Sequence, residues 1–315
     1  MEYLILVFSL AGIVIGANYL VSGAVSVARR FKVSDFVIGA AIVGVGTSMP
    51  EFVVSFIGAL NGNADVAIGN VVGSNIFNVL GILGLTALFF PVAIDRKNMK
   101  FEIPYAIGVS ALQTLLALNF FNGEAASIGR MDGILLLLLF TTYMWYSFLR
   151  DRKENEPTAS ESNEEGPLWI GILKVTGGLA LLVTSCDFFV DNAVYIAKSF
   201  GVSNAFISLT LIACGTSLPE LAASIAAAVK KNTDMALGNI IGSNIFNITF
   251  ILGISSQVMP LTSSDITLVD YSVMIAAALL PLIIGLRGGI GRLSGLLMIA
   301  CFVFYNWYLI TNQIS

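Results

Sequence analysis

Two carboxylates stand where a chain of this kind should have none. Glu51 ends the stretch GTSMPE (46–51) and Glu220 ends GTSLPE (215–220), and long apolar runs flank both. A charged carboxylate in mid-membrane costs about 2.5–3.5 kcal/mol on insertion scales. No basic residue stands near either one in sequence, and the one candidate for a buried partner, Lys174, sits close to the end of an apolar segment. A bound cation is the natural counter-charge.

The groups spaced around them are all oxygen ligands. Thr47 and Ser48 lie one helical turn from Glu51, and Thr216 and Ser217 one turn from Glu220. Pro50 and Pro219 donate no backbone hydrogen bond, so a helix should break there and free carbonyls. Each proline then suits the first turn of a restarted helix. Such a break is tolerated in hydrocarbon only where it lines a cavity or binds something. A second repeated phrase, GNVVGSNIFN (69–78) and GNIIGSNIFN (238–247), adds Ser74 with Asn78 and Ser243 with Asn247. Members of each pair are four apart and share a helical face. The two asparagines can line an ion path or bond between helices; Gly69, Gly73, Gly238 and Gly242 let helices approach closely. An oxygen set with two carboxylates suits a hard divalent cation such as Ca²⁺.

The elements that must position these groups are membrane helices. Of 315 residues, 57% are hydrophobic and 11% charged, against about 25% charged in a soluble domain. Ten apolar segments are expected, near 3–28, 34–60, 65–91, 101–119, 131–149, 168–197, 203–229, 234–260, 267–286 and 293–313. The fold class is thus an all-α polytopic membrane protein of ten transmembrane helices. The first segment has no basic stretch before it, so it reads as a span with the N-terminus outside, not a leader. Alternating from there puts Arg29, Arg30, Lys32, Arg96, Lys97, Lys100, Arg150, Arg152, Lys153, Lys230, Lys231, Arg287 and Arg292 inside. Only Arg130 and Lys198 fall outside, so both termini face out and the polar linker 150–167 is cytoplasmic.

A shift of 169 residues superposes 46–84 on 215–253 with 21 of 39 identities. Each half, 1–149 and 168–315, then holds five helices. Five is odd, so the halves enter the membrane from opposite sides, an inverted-topology repeat of the kind that builds secondary transporters. Asp65 and Asp234 match as well; they can stabilise a helix N-terminus or attract cations to a mouth. Asp187 and Asp191, one turn apart, belong to a wet end of the sixth segment.

Other classes fall away. Without histidine there are no His-metal sites and no Ser-His triads, and nothing marks an enzyme, a cofactor or a nucleic-acid partner. Cys186, Cys214 and Cys301 are isolated in apolar sequence and read as packing residues. A channel would build carboxylate rings from several subunits, whereas this duplication builds paired sites in one chain, so a monomer suffices.

The two blocks, 44–84 and 213–253, closely resemble the repeats of the calcium/cation antiporter superfamily, in its sodium/calcium exchanger branch. The resemblance covers the whole ten-helix plan and is most specific at GTSxPE and GSNIFN. It implies Na⁺/Ca²⁺ antiport at the cell membrane by alternating access. The second, third, seventh and eighth helices would form a core across which the first and sixth slide. It implies Ca²⁺ between Glu51 and Glu220 with the carbonyls of Thr47 and Thr216. It places Na⁺ with Thr47, Ser48, Glu51 and Ser74 toward the inside, and with Ala213, Thr216, Ser217, Glu220 and Ser243 toward the outside. Asn78 and Asn247 would line the middle. Potassium-dependent relatives carry Asp where this chain has Asn247, so the resemblance favours K⁺ independence. It also implies electrogenic exchange, with Ca²⁺/H⁺ antiport as the alternative.

Overall fold

The computed structural model describes residues 2–31, 33–118, 127–154, 167–199, 215–262, 266–286 and 288–314. The apolar segments become α1 (Glu2–Phe31), α2 (Asp35–Thr47), α3 (Met49–Leu60), α4 (Ala64–Phe89), α5 (Ile103–Ala117) and α6 (Arg130–Glu154) in the first half. The second half gives α7 (Leu168–Ser199), α8 (Leu218–Val229), α9 (Thr233–Val258), α10 (Leu268–Gly285) and α11 (Arg292–Ile314). Among the described residues, seven helices are long and apolar enough to cross a membrane alone, and the bent pair α2–α3 makes an eighth. α5 continues directly from a π-helical stretch, Asn98–Glu102, and the two together cover 98–117. The seventh expected segment is described only from 215, as α8 and the turn before it. Residues 155–166 of the expected linker also lie outside the described residues, and α6 runs on to Glu154, into the start of that linker.

Two small pairings qualify the all-α expectation. β1 (Val92–Ala93) pairs antiparallel with β2 (Gly289–Ile290), and Ile128 bridges Leu261. Both tie a loop after a central helix to a loop before a peripheral one. They satisfy backbone groups that no helix can use there.

Burial separates centre from periphery. The apolar window of α9 is 89% buried and that of α4 72%, against 28% for α1 and for α7. Lipid offers helices no hydrophobic drive to associate, so close packing must come from small residues. A Cβ built on Gly44 of α2 would sit 3.0 Å from Asn239 O and Ser243 N of α9, and one on Gly242 of α9 would collide with Ala40. α1 packs antiparallel along α7, where a Cβ on Gly16 would lie 2.7 Å from Leu182 N and one on Gly23 would lie 2.8 Å from Lys174 Cβ. Phe52 of α3 packs on Phe250 of α9, which stacks on Phe246.

Local chemistry starts and stops the central helices. Asn63 and Asn232 cap α4 and α9, each accepting at 3.1 Å from the backbone N–H three residues on. Asp65 and Asp234 follow in the first turns, where the helix dipole favours negative charge. The preceding turns differ. Gly62 takes φ 76° at no steric cost, and Lys231, the residue 169 positions later, takes φ 61°. A side chain in the left-handed region costs about 1–2 kcal/mol. Lys231→Gly is therefore expected to stabilise the protein by about 1 kcal/mol, read as a higher unfolding temperature in detergent. A lower temperature would mean that the lysine side chain makes a compensating contact.

Candidate functional site

α2 ends at Thr47, and Ser48 (φ −82°, ψ 10°) leaves the helical path before α3 starts with Pro50 in its first turn. The two helices meet at 49°. The second repeat does the same: Ser217 (φ −92°, ψ 9°) precedes α8, with Pro219 in its first turn. Proline removes the amides that would bond the Gly46 and Gly215 carbonyls, four residues back. Glu51 and Glu220 occupy the first turns of the restarted helices, where the dipole offsets part of their charge. Both are fully buried.

The two repeats interlock around them. Ser48 Oγ donates to Glu220 Oε1 at 2.8 Å, and Ser217 Oγ donates to Glu51 Oε1 at 2.7 Å. Each serine thus serves the carboxylate of the other half, not that of its own. Glu51 and Glu220 are close enough for their charges to repel. Hydrogen bonds to carboxylates are the strong class, and these two tie the repeats to each other. The remaining oxygens, Glu51 Oε2 and Glu220 Oε2, have no hydrogen-bond partner among the described residues.

A belt of asparagines continues the symmetry. Asn78 Nδ2 donates to Asn244 Oδ1 at 3.0 Å, and Asn247 Nδ2 to Asn75 Oδ1 at 3.1 Å. Asn75 Nδ2 and Asn244 Nδ2 cross to each other's backbone carbonyls at 3.4 and 3.3 Å. This leaves Asn78 Oδ1 and Asn247 Oδ1 buried with no partner among the described residues. Asn78 lies in a π-helical stretch, Phe77–Leu83, that packs on α8; Asn247 opens another, Asn247–Ile251, that packs on α3. Wide π turns recur at functional sites because they displace side chains from the α-helical stripe.

Behind this belt, Asn70 Nδ2 donates to the Glu51 carbonyl at 3.1 Å and to Ser55 Oγ at 2.9 Å. Asn239 Nδ2 does the same for the Glu220 carbonyl, at 3.1 Å, and Ser224 Oγ, at 2.8 Å. These contacts fix where each glutamate-bearing helix starts. Thr47 Oγ1 donates to the Val43 carbonyl at 2.9 Å and to Asn239 Oδ1 at 3.3 Å. Ser243 Oγ donates to the Gly44 carbonyl at 3.2 Å. Ala213 stands 169 residues after Gly44 and lies outside the described residues. Ser74 is buried, and Thr216 is half-buried at the turn before α8. Asp187 and Asp191 are exposed on α7.

Buried polar atoms without partners are costly and need a reason. Here four of them are acceptor oxygens in symmetric pairs, two of them on carboxylates. No basic side chain bonds to either glutamate among the described residues. Such a cage accepts metal cations or protons and rejects anions. Sequence spacing brought forward Glu51, Glu220, Ser48, Ser217, Asn78 and Asn247. It passed over Asn70, Asn75, Asn239, Asn244, Ser55, Ser224 and Gly44. The signal for all but Gly44 was available, since each is a polar identity between the two matched blocks.

The model of the family described as sodium/calcium exchanger protein matches residues 1–149 and 170–311. Inner membrane protein YrbG of Escherichia coli (strain K12) is 35% identical over 292 residues, covering 88% of this chain and 86% of its own. Sodium/calcium exchanger MaX1 of Methanosarcina acetivorans is 32% identical over 339 residues, covering 96% and 97%. Among solved structures, the sodium-calcium exchanger NCX_Mj soaked with zero Na⁺ and Ca²⁺ superposes with a TM-score of 0.85 at 30% identity, covering 98% of each chain.

Proposed function

The chain belongs to the sodium/calcium exchanger family, and we propose that it exchanges Na⁺ for Ca²⁺ by alternating access, independently of K⁺ and electrogenically. What carries this reading is the set of buried acceptor oxygens, Glu51 Oε2, Glu220 Oε2, Asn78 Oδ1 and Asn247 Oδ1, that have no partner among the described residues. Ca²⁺ would replace the missing partners of Glu51 Oε2 and Glu220 Oε2, together with the carbonyls of Thr47 and Thr216. Na⁺ would occupy the same carboxylates and the hydroxyls beside them. Those are Thr47, Ser48 and Ser74 in one half, and Thr216, Ser217, Ser243 and the Ala213 carbonyl in the other. For this the serines must turn lone pairs toward the ion and release the carboxylates, which a rotating hydroxyl can do. The protein would act as a monomer of two inverted five-helix repeats in the cell membrane, with both termini outside and the linker 150–167 in the cytoplasm.

Obligatory exchange follows from the charge. An empty cage carries two carboxylates, each held by the serine of the other repeat. Moving it past the apolar faces of α1 and α7 uncovers those charges in a low-dielectric path, at several kcal/mol each. One Ca²⁺ or two Na⁺ cancel the charge and lower that barrier, so the cage crosses loaded. Protons can cancel it too, which makes Ca²⁺/H⁺ antiport the competing reading.

The discriminating measurement is ⁴⁵Ca²⁺ uptake into proteoliposomes driven in turn by Na⁺, K⁺ and H⁺ gradients. Uphill uptake is expected with an outward Na⁺ gradient and no change on adding K⁺. Uptake driven by H⁺ alone would establish the competing reading. Calcium entry that runs only downhill, whatever the gradient, would mean a channel and overturn both.

A further inference from the structure

A groove of about 450 Å³ separates α1 from α8 on the side that faces lipid. Leu10 and Val14 of α1, Phe189 of α7, and Leu221, Ile225 and Val229 of α8 line it. Leu10, Val14 and Val229 are 53%, 54% and 58% exposed, so the groove opens to hydrocarbon. It follows α8 for that helix's 12 residues, or about 18 Å at the helical rise. This is close to the roughly 15 Å of hydrocarbon in one leaflet.

The end of the groove at Val229 is basic. Lys230 follows Val229 and donates from Nζ to the Asn18 carbonyl at 2.8 Å, closing the groove between the two helices. An ammonium has three donors, and the other two have no partner among the described residues. Lys174, beside Gly23 on α1, is near enough to repel the charge of Lys230. Neither lysine has a carboxylate partner among the described residues. Asp35 accepts from Asn232 in that turn at 2.9 Å. The equivalent turn of the first repeat is Asn61-Gly62. The second repeat has Lys230-Lys231 there, and keeps Lys231 in a backbone conformation that suits glycine. Strain held in this way points to a use for the side chains.

We propose that the groove is a phospholipid site for the leaflet on the Lys230 side. One acyl chain lies between α1 and α8, and an anionic headgroup rests on Lys230, Lys174 and Lys231. Two facing ammonium groups at a membrane surface attract negative headgroups, and a furrow of one leaflet's depth takes the chain beneath them.

The test is native mass spectrometry of the full chain in detergent. It is titrated with phosphatidylglycerol, phosphatidylcholine of matched chains, or glycerol phosphate. Phosphatidylglycerol is expected to bind at least tenfold more tightly than phosphatidylcholine. The double variant Lys174→Met, Lys230→Met should remove that preference and leave phosphatidylcholine binding unchanged, while Lys230→Arg should keep it. Ala226→Phe, which fills the groove, should weaken both lipids. Glycerol phosphate should not compete. Equal binding of the two lipids, or a preference that survives the double variant, would overturn the headgroup site. Competition by glycerol phosphate would mean a free-phosphate site instead. None of these readouts depends on transport, so the site stands or falls apart from the exchange mechanism.

Discussion

Glu51→Gln and Glu220→Gln are each expected to cut Ca²⁺ transport by two orders of magnitude or more. Each carboxylate has one oxygen held by a serine of the other repeat and one without a partner among the described residues. Glutamine keeps the shape and removes the charge. Removing one partner of a buried charge pair costs about 3–5 kcal/mol, and each 1.36 kcal/mol is tenfold. The Ca²⁺ complex of a single variant would also carry an uncompensated positive charge through hydrocarbon, which slows the crossing as well as weakening binding. The same substitution should stabilise the ion-free protein, because the repulsion between Glu51 and Glu220 disappears. Two measurements check this together. In proteoliposomes, Na⁺-driven ⁴⁵Ca²⁺ uptake should fall to background for either variant. In detergent without ions, the unfolding temperature should rise, while the further rise expected of the wild type on adding Ca²⁺, from binding to the folded state, should be absent. Near-normal exchange by either variant would overturn the assignment. Lost transport with lost ion-free stability would mean a folding defect, and the double Gln variant, free of both charges, then separates fold from charge.

What the sequence discloses here follows from how the chain was doubled. Isolated carboxylates after a proline reveal themselves because apolar sequence surrounds them. Pro50 and Pro219 mark the breaks because proline forbids the helical bond at that position, and the breaks stand at Ser48 and Ser217 as expected. The partner of each serine was not readable. Spacing along one helix relates Ser48 to Glu51, whereas the fold hands Ser48 to Glu220, 172 residues away. Which helix faces which is a tertiary choice, set by contacts such as Gly44 against Asn239 and Ser243. Asn75 and Asn244 were missed for a related reason. A helical wheel puts Ser74 and Asn78 on one stripe and leaves Asn75 beside it. The π turns that begin at Phe77 and Asn247 change that geometry, and no residue in the motif announces a π turn. Gly44 acts through its carbonyl, a group every residue has, so no residue type could mark it. The two short strand pairings involve two residues each, too few for any period to show.

Exchange is expected to respond to membrane voltage by about 50-fold per 100 mV in the Ca²⁺ ratio it sustains. The argument begins from charge. Two fixed carboxylates balance one Ca²⁺ or two Na⁺, which would give neutral exchange if they were the whole site. The cage has more oxygen than that: Asn78 Oδ1 and Asn247 Oδ1 are buried without partners among the described residues, and the hydroxyls of Ser48 and Ser217 can turn. A third Na⁺ can be held by such neutral oxygens beside a carboxylate. With three Na⁺ leaving for each Ca²⁺ entering, one positive charge leaves per cycle. Moving one charge through 100 mV is worth about 2.3 kcal/mol, and at 1.36 kcal/mol per decade that is the 50-fold ratio. In proteoliposomes clamped with K⁺ and valinomycin, an interior-positive potential should therefore raise both the initial ⁴⁵Ca²⁺ uptake and the steady-state ratio. The steady state is decisive, because a voltage-insensitive slow step can mask the effect on rate but cannot alter the equilibrium. A steady-state ratio indifferent to the clamp would fix the exchange at two Na⁺ per Ca²⁺. It would leave Asn78 and Asn247 as lining for the Ca²⁺ path, and confine Na⁺ to the two carboxylates and their serines.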